Sequence, residues 1–157
     1  MDSAMNLLTV GVLSDTHGLL RPEVVEALAG VDHILHAGDV GDPRILDKLR
    51  SIAPLTAIRG NVDVSGACAE LPPNEAVQLR GHIFYLVHAL QDLDINPQVA
   101  DVSVVVYGHS HRSASEQREG VLYLNPGSAG PRRFDLPATL AKITLIDREI
   151  RVSIVTL

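Results

Sequence analysis

The sequence predicts a layered α/β sandwich with two β-sheets in the middle. In the first 60 residues, short apolar runs alternate with stretches of helical periodicity. After Pro72 and Pro73, apolar runs follow one another with only short polar turns between them. Helices that alternate with strands, followed by consecutive strands, are typical of layered α/β domains. The chain has no repeat and no low-complexity linker, so we expect residues 1–157 to form a single domain.

The first part of the chain predicts three strands and two helices. Apolar runs favour strands, and the periodic stretches between them favour helices. Pro22 stands at a tolerated first-turn position and Gly30 at a helix end, while Asp42-Pro43 resembles an N-cap followed by proline at the first helical position. The predicted strands cover residues 7–13, 33–37 and 55–58, and the predicted helices cover 22–29 and 43–52.

The second part of the chain predicts strands only. The run from Val102 to Tyr107 is almost wholly β-branched or aromatic, which favours a buried strand. Arg80-Gly81 and Asp147-Arg148 are short turns between apolar runs, and the second predicts a terminal hairpin. The predicted strands cover residues 75–79, 83–87, 102–107, 113–117, 121–124, 139–146 and 150–155.

Composition limits the classes of function. A net charge of −6 argues against an extended nucleic-acid surface, but bound divalent metals can reverse the charge inside a pocket. One cysteine, Cys68, allows no intrachain disulfide and indicates a reducing compartment. The apolar run 7–13 is shorter than the roughly 20 residues of a membrane helix, and Asp2 speaks against a signal peptide. We therefore expect a cytoplasmic protein that does not insert into membranes.

Residues that can ligate a metal follow five of the predicted strands. In open α/β sheets ligands bind outside the carboxyl ends of the strands, so several such ends from one sheet would bring these side chains to one rim. Glycines before three of them allow tight backbone turns where a side chain would obstruct. The candidate ligands are Asp15, His17, Asp39, Asn61, His88, His109 and His111.

The chemistry of these side chains favours two metal ions. Two carboxylates, one amide and four imidazoles suit Mn, Fe, Co, Ni or Zn better than Ca or Mg. Seven ligands are too many for one ion that also binds water and substrate, but they suffice for two ions if one carboxylate bridges. Two ions ~3.5–4 Å apart can activate a shared hydroxide and hold a phosphoryl group. Each motif alone has an ordinary interpretation as a turn or a hydrogen-bonded histidine, and we assign that interpretation to His33, His36 and His82.

The order of these motifs resembles the calcineurin-like metallophosphoesterase superfamily. The resemblance implies a four-layer α/β/β/α fold with two central mixed β-sheets. It also implies hydrolysis of phosphodiester bonds by a metal-bridging hydroxide. The motifs are Asp15-x-His17, Gly38-Asp39, Gly60-Asn61-x-Asp63, His88 and Gly108-His109-x-His111, with Asn125-Pro126-Gly127-Ser128 and Pro131-Arg132 resembling the small microbial single-domain phosphodiesterase branch.

The resemblance implies a role for each candidate residue. Asp39 would bridge the ions, and Asp63 would orient the site without binding metal. Manganese is the expected metal, with Fe, Co, Ni and Zn as alternatives, and a small phosphodiester is the expected substrate. By this similarity the first ion binds Asp15, His17, Asp39 and His111, the second binds Asp39, Asn61, His88 and His109, and the residues expected to act in catalysis are Asp39, Asn61 and His109.

The chain departs from the superfamily pattern at two places. Many members carry a histidine after Gly-Asn that is thought to protonate the leaving group or to steady the phosphate, although the small phosphodiesterase branch often lacks it. This chain has Val62 there, so either the usual general acid is missing from an active site or the residue serves only to pack against the pocket wall. The branch often has Gly-His after the histidine equivalent to His88, whereas this chain has Ala89-Leu90. No substrate-binding residue is assigned, and Arg132 or Arg133 would either contact phosphate or lie on the rim.

A protein-binding scaffold on the same fold is the alternative function. The small subunit of retromer resembles this branch but serves as a scaffold with a degraded metal site. Here all seven ligand positions carry competent side chains. Without metals, clustered carboxylates and imidazoles would repel one another or stay unsatisfied, so the complete set favours an enzyme.

Overall fold

Ten strands form two five-stranded mixed sheets in the computed structural model, which describes residues 7–157. Residues 1–6, which include Asp2, lie outside the described part. In chain order the elements are β1 Leu7–Leu13, α1 Pro22–Ala27, β2 His33–His36, α2 Pro43–Arg50, β3 Leu55–Ala57, α3 Gly66–Ala69, β4 Asn74–Leu79, β5 His82–Val87, a 3-10 helix Leu90–Asp92, β6 Val104–Val106, β7 Ala114–Arg118, β8 Val121–Asn125, β9 Thr139–Ile146 and β10 Glu149–Thr156.

Each sheet contains three neighbouring strands that are parallel. The first sheet has the order β10-β9-β1-β2-β3, with β1, β2 and β3 parallel to one another on one side, β9 antiparallel to β1, and β10 antiparallel to β9. The second has the order β4-β5-β6-β8-β7, with β5, β6 and β8 parallel and β4 and β7 antiparallel. The carboxyl ends of β1, β2, β3, β5 and β6 therefore precede the loops that carry every candidate ligand.

The core lies between the two sheets. Alternate side chains of the strands face inward and pack against each other, as a period of two requires. Phe84 is fully buried there. The cluster consists of Val10, Val12, Leu35, Ala37, Ile58, Phe84, Leu86, Val104, Val106, Leu122, Leu124, Ala141, Ile143 and Leu145.

Two further layers cover the outer faces of the sheets. On the first sheet, Val24 of α1 and Ile45, Leu46 and Leu49 of α2 pack against residues such as Ile34. On the second sheet, the segment that includes the 3-10 helix covers the face. Its partly buried residues Leu90, Leu93 and Ile95 pack against Tyr85, Val87, Val102, Val105 and Val121. The layered sandwich is confirmed, and its fourth layer is an irregular segment with one 3-10 helix.

Local signals explain the helix boundaries. Asp42 precedes α2 in an extended conformation, and its side chain accepts a hydrogen bond from the backbone N–H of Arg44 at 2.9 Å. Pro22 and Pro43 occupy first-turn positions, as predicted. Every predicted helix and strand is present with ends shifted by up to two residues. Helices α1 and α2 are each two residues shorter than predicted, and β6 is three residues shorter. Helix α3 and the 3-10 helix were not predicted, because four and three residues are too short to show a periodic apolar pattern.

No helix within residues 7–157 has both the length and the apolar character needed to span a membrane.

Candidate metal centre

Five of the seven predicted ligands converge between the two sheets. Nε2 of His17 lies 3.6 Å from Oδ1 of Asp15 and 3.3 Å from Oδ2 of Asp39. Nε2 of His88 lies 3.8 Å and 3.1 Å from the same two oxygens, and Nε2 of His111 lies 3.5 Å from Oδ1 of Asp15. The expectation that one sheet would supply this rim was wrong, since β1 and β2 belong to the first sheet and β5 and β6 to the second.

The ligand atoms form two groups, within each of which the atoms lie within 4.8 Å of one another. One group is Asp15, His17 and His111, and the other is Asp15, Asp39 and His88. Asp15 belongs to both groups. Oδ2 of Asp39 contacts one imidazole from each of the two predicted metal sites, His17 and His88, which is the position that a bridging carboxylate would occupy.

Four buried polar atoms at the centre have no hydrogen-bond partner. They are Oδ1 of Asp15, Nε2 of His17, Nε2 of His88 and Nδ1 of His111. An unsatisfied buried polar group costs roughly 1–3 kcal/mol, and more when it is charged. Carboxylate and imidazole ligands together suit divalent transition metals. The donor set and its unsatisfied atoms therefore fit a metal centre.

The tautomer of His88 is fixed by the backbone. Its Nδ1 lies 2.8 Å from the carbonyl oxygen of Ala37, which can only accept, so Nδ1 carries the proton and donates. Nε2 then points its lone pair at the carboxylates in the neutral ring. Metal-binding histidines commonly have this arrangement, in which the distal N–H donates to a carbonyl or a carboxylate.

The backbone is strained at five of the predicted ligands. Ten non-glycine residues within 7–157 have a positive φ, and Asp15, His17, Asp39, His109 and His111 are five of them, with φ between 47° and 73°. The left-handed region is sparsely populated by residues with a side chain, and such strain concentrates at functional sites. The ligand loops are held in conformations that local preference alone would not favour.

Two glycines allow the ligand loops to approach each other. A Cβ on Gly60 would clash with the carboxylate of Asp39, and one on Gly108 would clash with Ser14 and Asp15. The prediction that glycines permit tight turns before Asn61 and His109 is confirmed. The structure adds that the missing Cβ leaves room for a carboxylate of a neighbouring loop.

Asn61 and His109 lie at the exposed rim and not in the buried group. The Nδ2 of Asn61 lies 3.3 Å from Nδ1 of His109, and the ring of His109 meets that of His88 edge-on with centroids 5.4 Å apart. The backbone N–H of His109 donates to Oδ2 of Asp15 at 3.1 Å. Both residues are therefore next to the cluster, on the side that faces solvent.

Asp63 bonds to the loops that carry two candidate ligands and does not belong to the ligand cluster. Its buried carboxylate accepts hydrogen bonds from the backbone N–H groups of Val40 at 3.1 Å, Gly41 at 3.0 Å and Gly60 at 2.9 Å. These bonds join the loop that carries Asp39 to the loop that carries Asn61. The orienting role expected from the sequence stays a prediction, and these bonds are the contacts through which Asp63 would exert it.

Three buried polar residues that the sequence did not identify as site residues also hold the ligands. Ser14 donates to Oδ2 of Asp15 at 2.7 Å, and Ser128 donates to the backbone carbonyl of Asp15 at 3.0 Å. The side chain of Asn125 donates to the Gly108 carbonyl at 3.2 Å. The only signal for these residues in the sequence was the Asn125-Pro126-Gly127-Ser128 motif and the place of Ser14 between a strand and Asp15.

Burial and charge shift the pKa values of three ligands. Burial raises the pKa of Asp39, but His88 and the N–H of Val62, which donates at 3.0 Å, outweigh burial and hold this pKa below its usual value. Burial lowers the pKa of His88, but Asp39, the Ala37 carbonyl and Asp15 leave it raised. Burial lowers the pKa of His111 more than the charge of Asp15 raises it, and the charge of Arg133 adds to the lowering.

The remaining histidines have structural partners, as predicted. His36 is fully buried, and burial lowers its pKa to about 4. Its Nδ1 accepts from the backbone N–H of Gly38 at 3.1 Å, so Nε2 carries the proton and donates to the hydroxyl of Thr16 at 3.0 Å. His33 is hydrogen-bonded to Thr56 at 2.9 Å, and His82 to Ser103 at 3.1 Å.

The two departures from the superfamily pattern have visible consequences. Val62 is 45% exposed, so the expectation that it packs against a pocket wall finds no support in its burial. Its contact with the site is through its backbone N–H. Leu90 packs into the outer cluster of the second sheet, and Ala89 is buried. Arg132 and Arg133 are exposed.

Comparison with known proteins shows which family the chain resembles. The sequence model of the family described as the calcineurin-like phosphoesterase superfamily domain matches residues 8–148. A probable metallophosphoesterase of Methanocaldococcus jannaschii is 30% identical over 154 residues, covering 90% of this chain and 78% of that protein. A phosphodiesterase of Escherichia coli is 29% identical over 150 residues, covering 80% and 82%. The solved structure of wild-type Vps29 from Entamoeba histolytica, complexed with Zn²⁺, is similar in fold, with a TM-score of 0.71, 21% identity and coverage of 95% and 99%.

Proposed function

The chain belongs to the calcineurin-like phosphoesterase superfamily, and we propose that it is a dinuclear-metal-dependent phosphodiesterase. One observation carries the proposal. Two carboxylates and three imidazoles meet between the sheets and leave four buried ligand atoms without a partner. A merely structural cluster would satisfy these atoms with protein hydrogen bonds. The relatives named as a metallophosphoesterase and a phosphodiesterase support the same reaction.

We assign the ions by residue as follows. One ion would bind Asp15, His17, Asp39 and His111, and the other would bind Asp39, Asn61, His88 and His109. Bound divalent ions would supply Lewis acidity and lower the pKa of bound water. The mixed nitrogen and oxygen ligands favour manganese, with Fe, Co, Ni or Zn as alternatives.

We assign two different roles to the residues around the metal centre. Ser14, Asp63 and Ser128 hold the ligand loops in place through the hydrogen bonds described above. Asn61 and His109 lie on the exposed side of the centre, where a phosphodiester can reach them. With Asp39, which contacts an imidazole of each predicted site, they are the residues that we propose act in catalysis.

We also propose the domain organisation, substrate class and compartment that the sequence predicts. The chain of residues 1–157 is a single domain, and its substrate is a small molecule. The compartment is the reducing cytoplasm, in keeping with the buried free thiol of Cys68.

A protein-binding scaffold remains the second candidate because the fold is shared with Vps29. Metal binding does not separate the two functions, since that Vps29 structure is a complex with Zn²⁺. Turnover does separate them. Protein purified without a metal-affinity tag should hydrolyse aryl phosphodiesters faster than phosphomonoesters and should lose this activity on chelation. A protein that binds metal and turns over neither class would be a scaffold.

A further inference from the structure

A cleft of about 320 Å³ opens beside the metal centre, on the side formed by Asn61 and His88. Its remaining walls include Arg59, Asn74 and Asp92. Arg59 follows β3 of the first sheet, whereas Asn74 begins β4 of the second sheet and pairs with the last residue of β5. The cleft therefore lies between the two sheets and is continuous with the proposed second metal position.

Arg59 is held in place at one wall of the cleft. Its Nη1 donates to the carbonyl oxygens of Ala69 and Leu71, both at 3.3 Å, and its backbone N–H donates to the carbonyl of Pro72 at 3.0 Å. A guanidinium has five N–H groups, so the donors on Nε and Nη2 are left to serve a ligand. The cleft thus contains a positioned cationic donor.

Asp92 supplies the opposite charge. It is the last residue of the 3-10 helix, whose first residue, Leu90, packs against the second sheet. The backbone N–H of Asp92 donates to the carbonyl of Ala89 at 2.9 Å. The helix therefore fixes the backbone position of Asp92, which lines the cleft next to the segment that follows His88.

The chemistry of these walls selects among possible ester arms. Asp92 would repel an anionic arm and Arg59 a cationic one, and an apolar arm would remove water from both charges without replacing it. A hydroxyl both donates and accepts, so two neighbouring hydroxyls can donate to Asp92 and accept from Arg59 and Asn74. Dinucleotide-binding folds use a carboxylate in the same way for ribose hydroxyls.

We propose that this cleft binds one ester arm of the substrate and that the arm is a small vicinal diol, as in glycerol or ribose. This inference rests on the proposed phosphodiesterase function and specifies its substrate class. The volume lies near the lower end of the roughly 300–1,000 Å³ of small-molecule sites, so the cleft suits one small arm better than a polymer.

Calorimetric titration of the manganese-loaded protein tests the proposal. Glycerol 3-phosphate and propyl phosphate share the three-carbon chain and the charge and differ in two hydroxyls. The diol should bind about tenfold more tightly, a factor within reach of one hydrogen bond to a charged group. Titration with ribose 5-phosphate then shows which diol, linear or cyclic, fits better.

Two variants assign the preference to the cleft. Asp92→Ala should bring the ratio of the two dissociation constants close to one. Asp94→Ala is the control, because it also removes one carboxylate, two residues from Asp92. The carboxylate of Asp94 accepts a hydrogen bond from the Tyr85 hydroxyl and does not line the cleft, so this variant should keep the ratio. Equal affinities in the unmodified protein, or a preference that survives Asp92→Ala, would overturn the proposal. If the preference depends on Asp92 but the protein hydrolyses no diester, the proposed diol site stands and the proposed phosphodiesterase function is wrong. If the protein hydrolyses diesters but shows no preference for the diol, the phosphodiesterase function stands and the diol site is wrong.

Discussion

The Nε2 atom of His88 lies 3.1 Å from the Oδ2 atom of Asp39. This contact joins the loop after β5 in one sheet to the loop after β2 in the other. The other ring nitrogen is bound to the carbonyl of Ala37, so the imidazole cannot turn away without losing that bond. A metal held by this pair would therefore connect the two sheets directly.

His88→Ala should remove about one of two metal ions per chain. The substitution takes away an imidazole of the proposed second site and leaves Asp15, His17 and His111 together. Elemental analysis of the purified variant measures the metal content. His33→Ala is the matched control, because His33 is bonded to Thr56 and lies outside the centre. Full metal content in His88→Ala would show that His88 is not a ligand.

Asp39→Ala should lose both ions and nearly all turnover. Oδ2 of Asp39 contacts imidazoles of both proposed sites, so its loss affects each. Metal stabilisation of a transition state is worth several kcal/mol, which corresponds to a fall in kcat of at least about a thousandfold. Elemental analysis and steady-state kinetics on one aryl phosphodiester measure the two effects. Retention of one tightly bound ion would contradict the bridging role.

The stability of the metal-free protein should fall as the pH is lowered from 6.5 to about 4, in part because of His36. The folded pKa of His36 is about 4, below the ordinary value of 6.5. Between these values the unfolded chain takes up a proton that the folded chain does not, so the contribution is complete above pH 6.5 and declines below it. The decline is roughly 3 kcal/mol over the window.

Urea unfolding at several pH values, in the presence of a chelator, measures this contribution. The difference in unfolding free energy between the unmodified protein and His36→Gln should shrink as the pH falls through the window. A difference that stays constant from pH 7 to pH 4 would show that His36 is not held neutral.

Hydrolysis of aryl phosphodiesters should depend steeply on the pKa of the leaving phenol. Val62 can neither donate a proton nor hydrogen-bond a leaving oxygen, and general acid catalysis is typically worth ~10²–10⁴ in rate. Because the residue is 45% exposed, Val62→His has room for the ring and should flatten the dependence by accelerating poor leaving groups. Val64→His, at a residue that is 80% exposed, is the control and should leave the slope unchanged. A shallow slope in the unmodified protein would mean that another group already supplies the proton.

The sequence predicted the strands and the ligands better than their arrangement. Apolar runs that are followed closely by Asp15, Asp39 or His88 are local patterns, and each could be found without knowledge of the fold. The division of these strands between two sheets depends on pairing between distant residues, such as Val12 with Ala141, which no local pattern encodes. For the same reason Ser128 could not be placed against the carbonyl of Asp15, 113 residues away.

Titration of the metal-free protein with Mn²⁺ tests the two-metal account most directly, with turnover of an aryl phosphodiester and the melting temperature followed together. We expect no turnover before metal is added and a rise that ends at two equivalents per chain. At about 100 times its dissociation constant each ion adds roughly 2.7 kcal/mol of stability, or roughly 5.4 kcal/mol for two, so the melting temperature should rise by about 10–20 °C. Full turnover in the metal-free protein, with a melting temperature that Mn²⁺ does not change, would contradict the account.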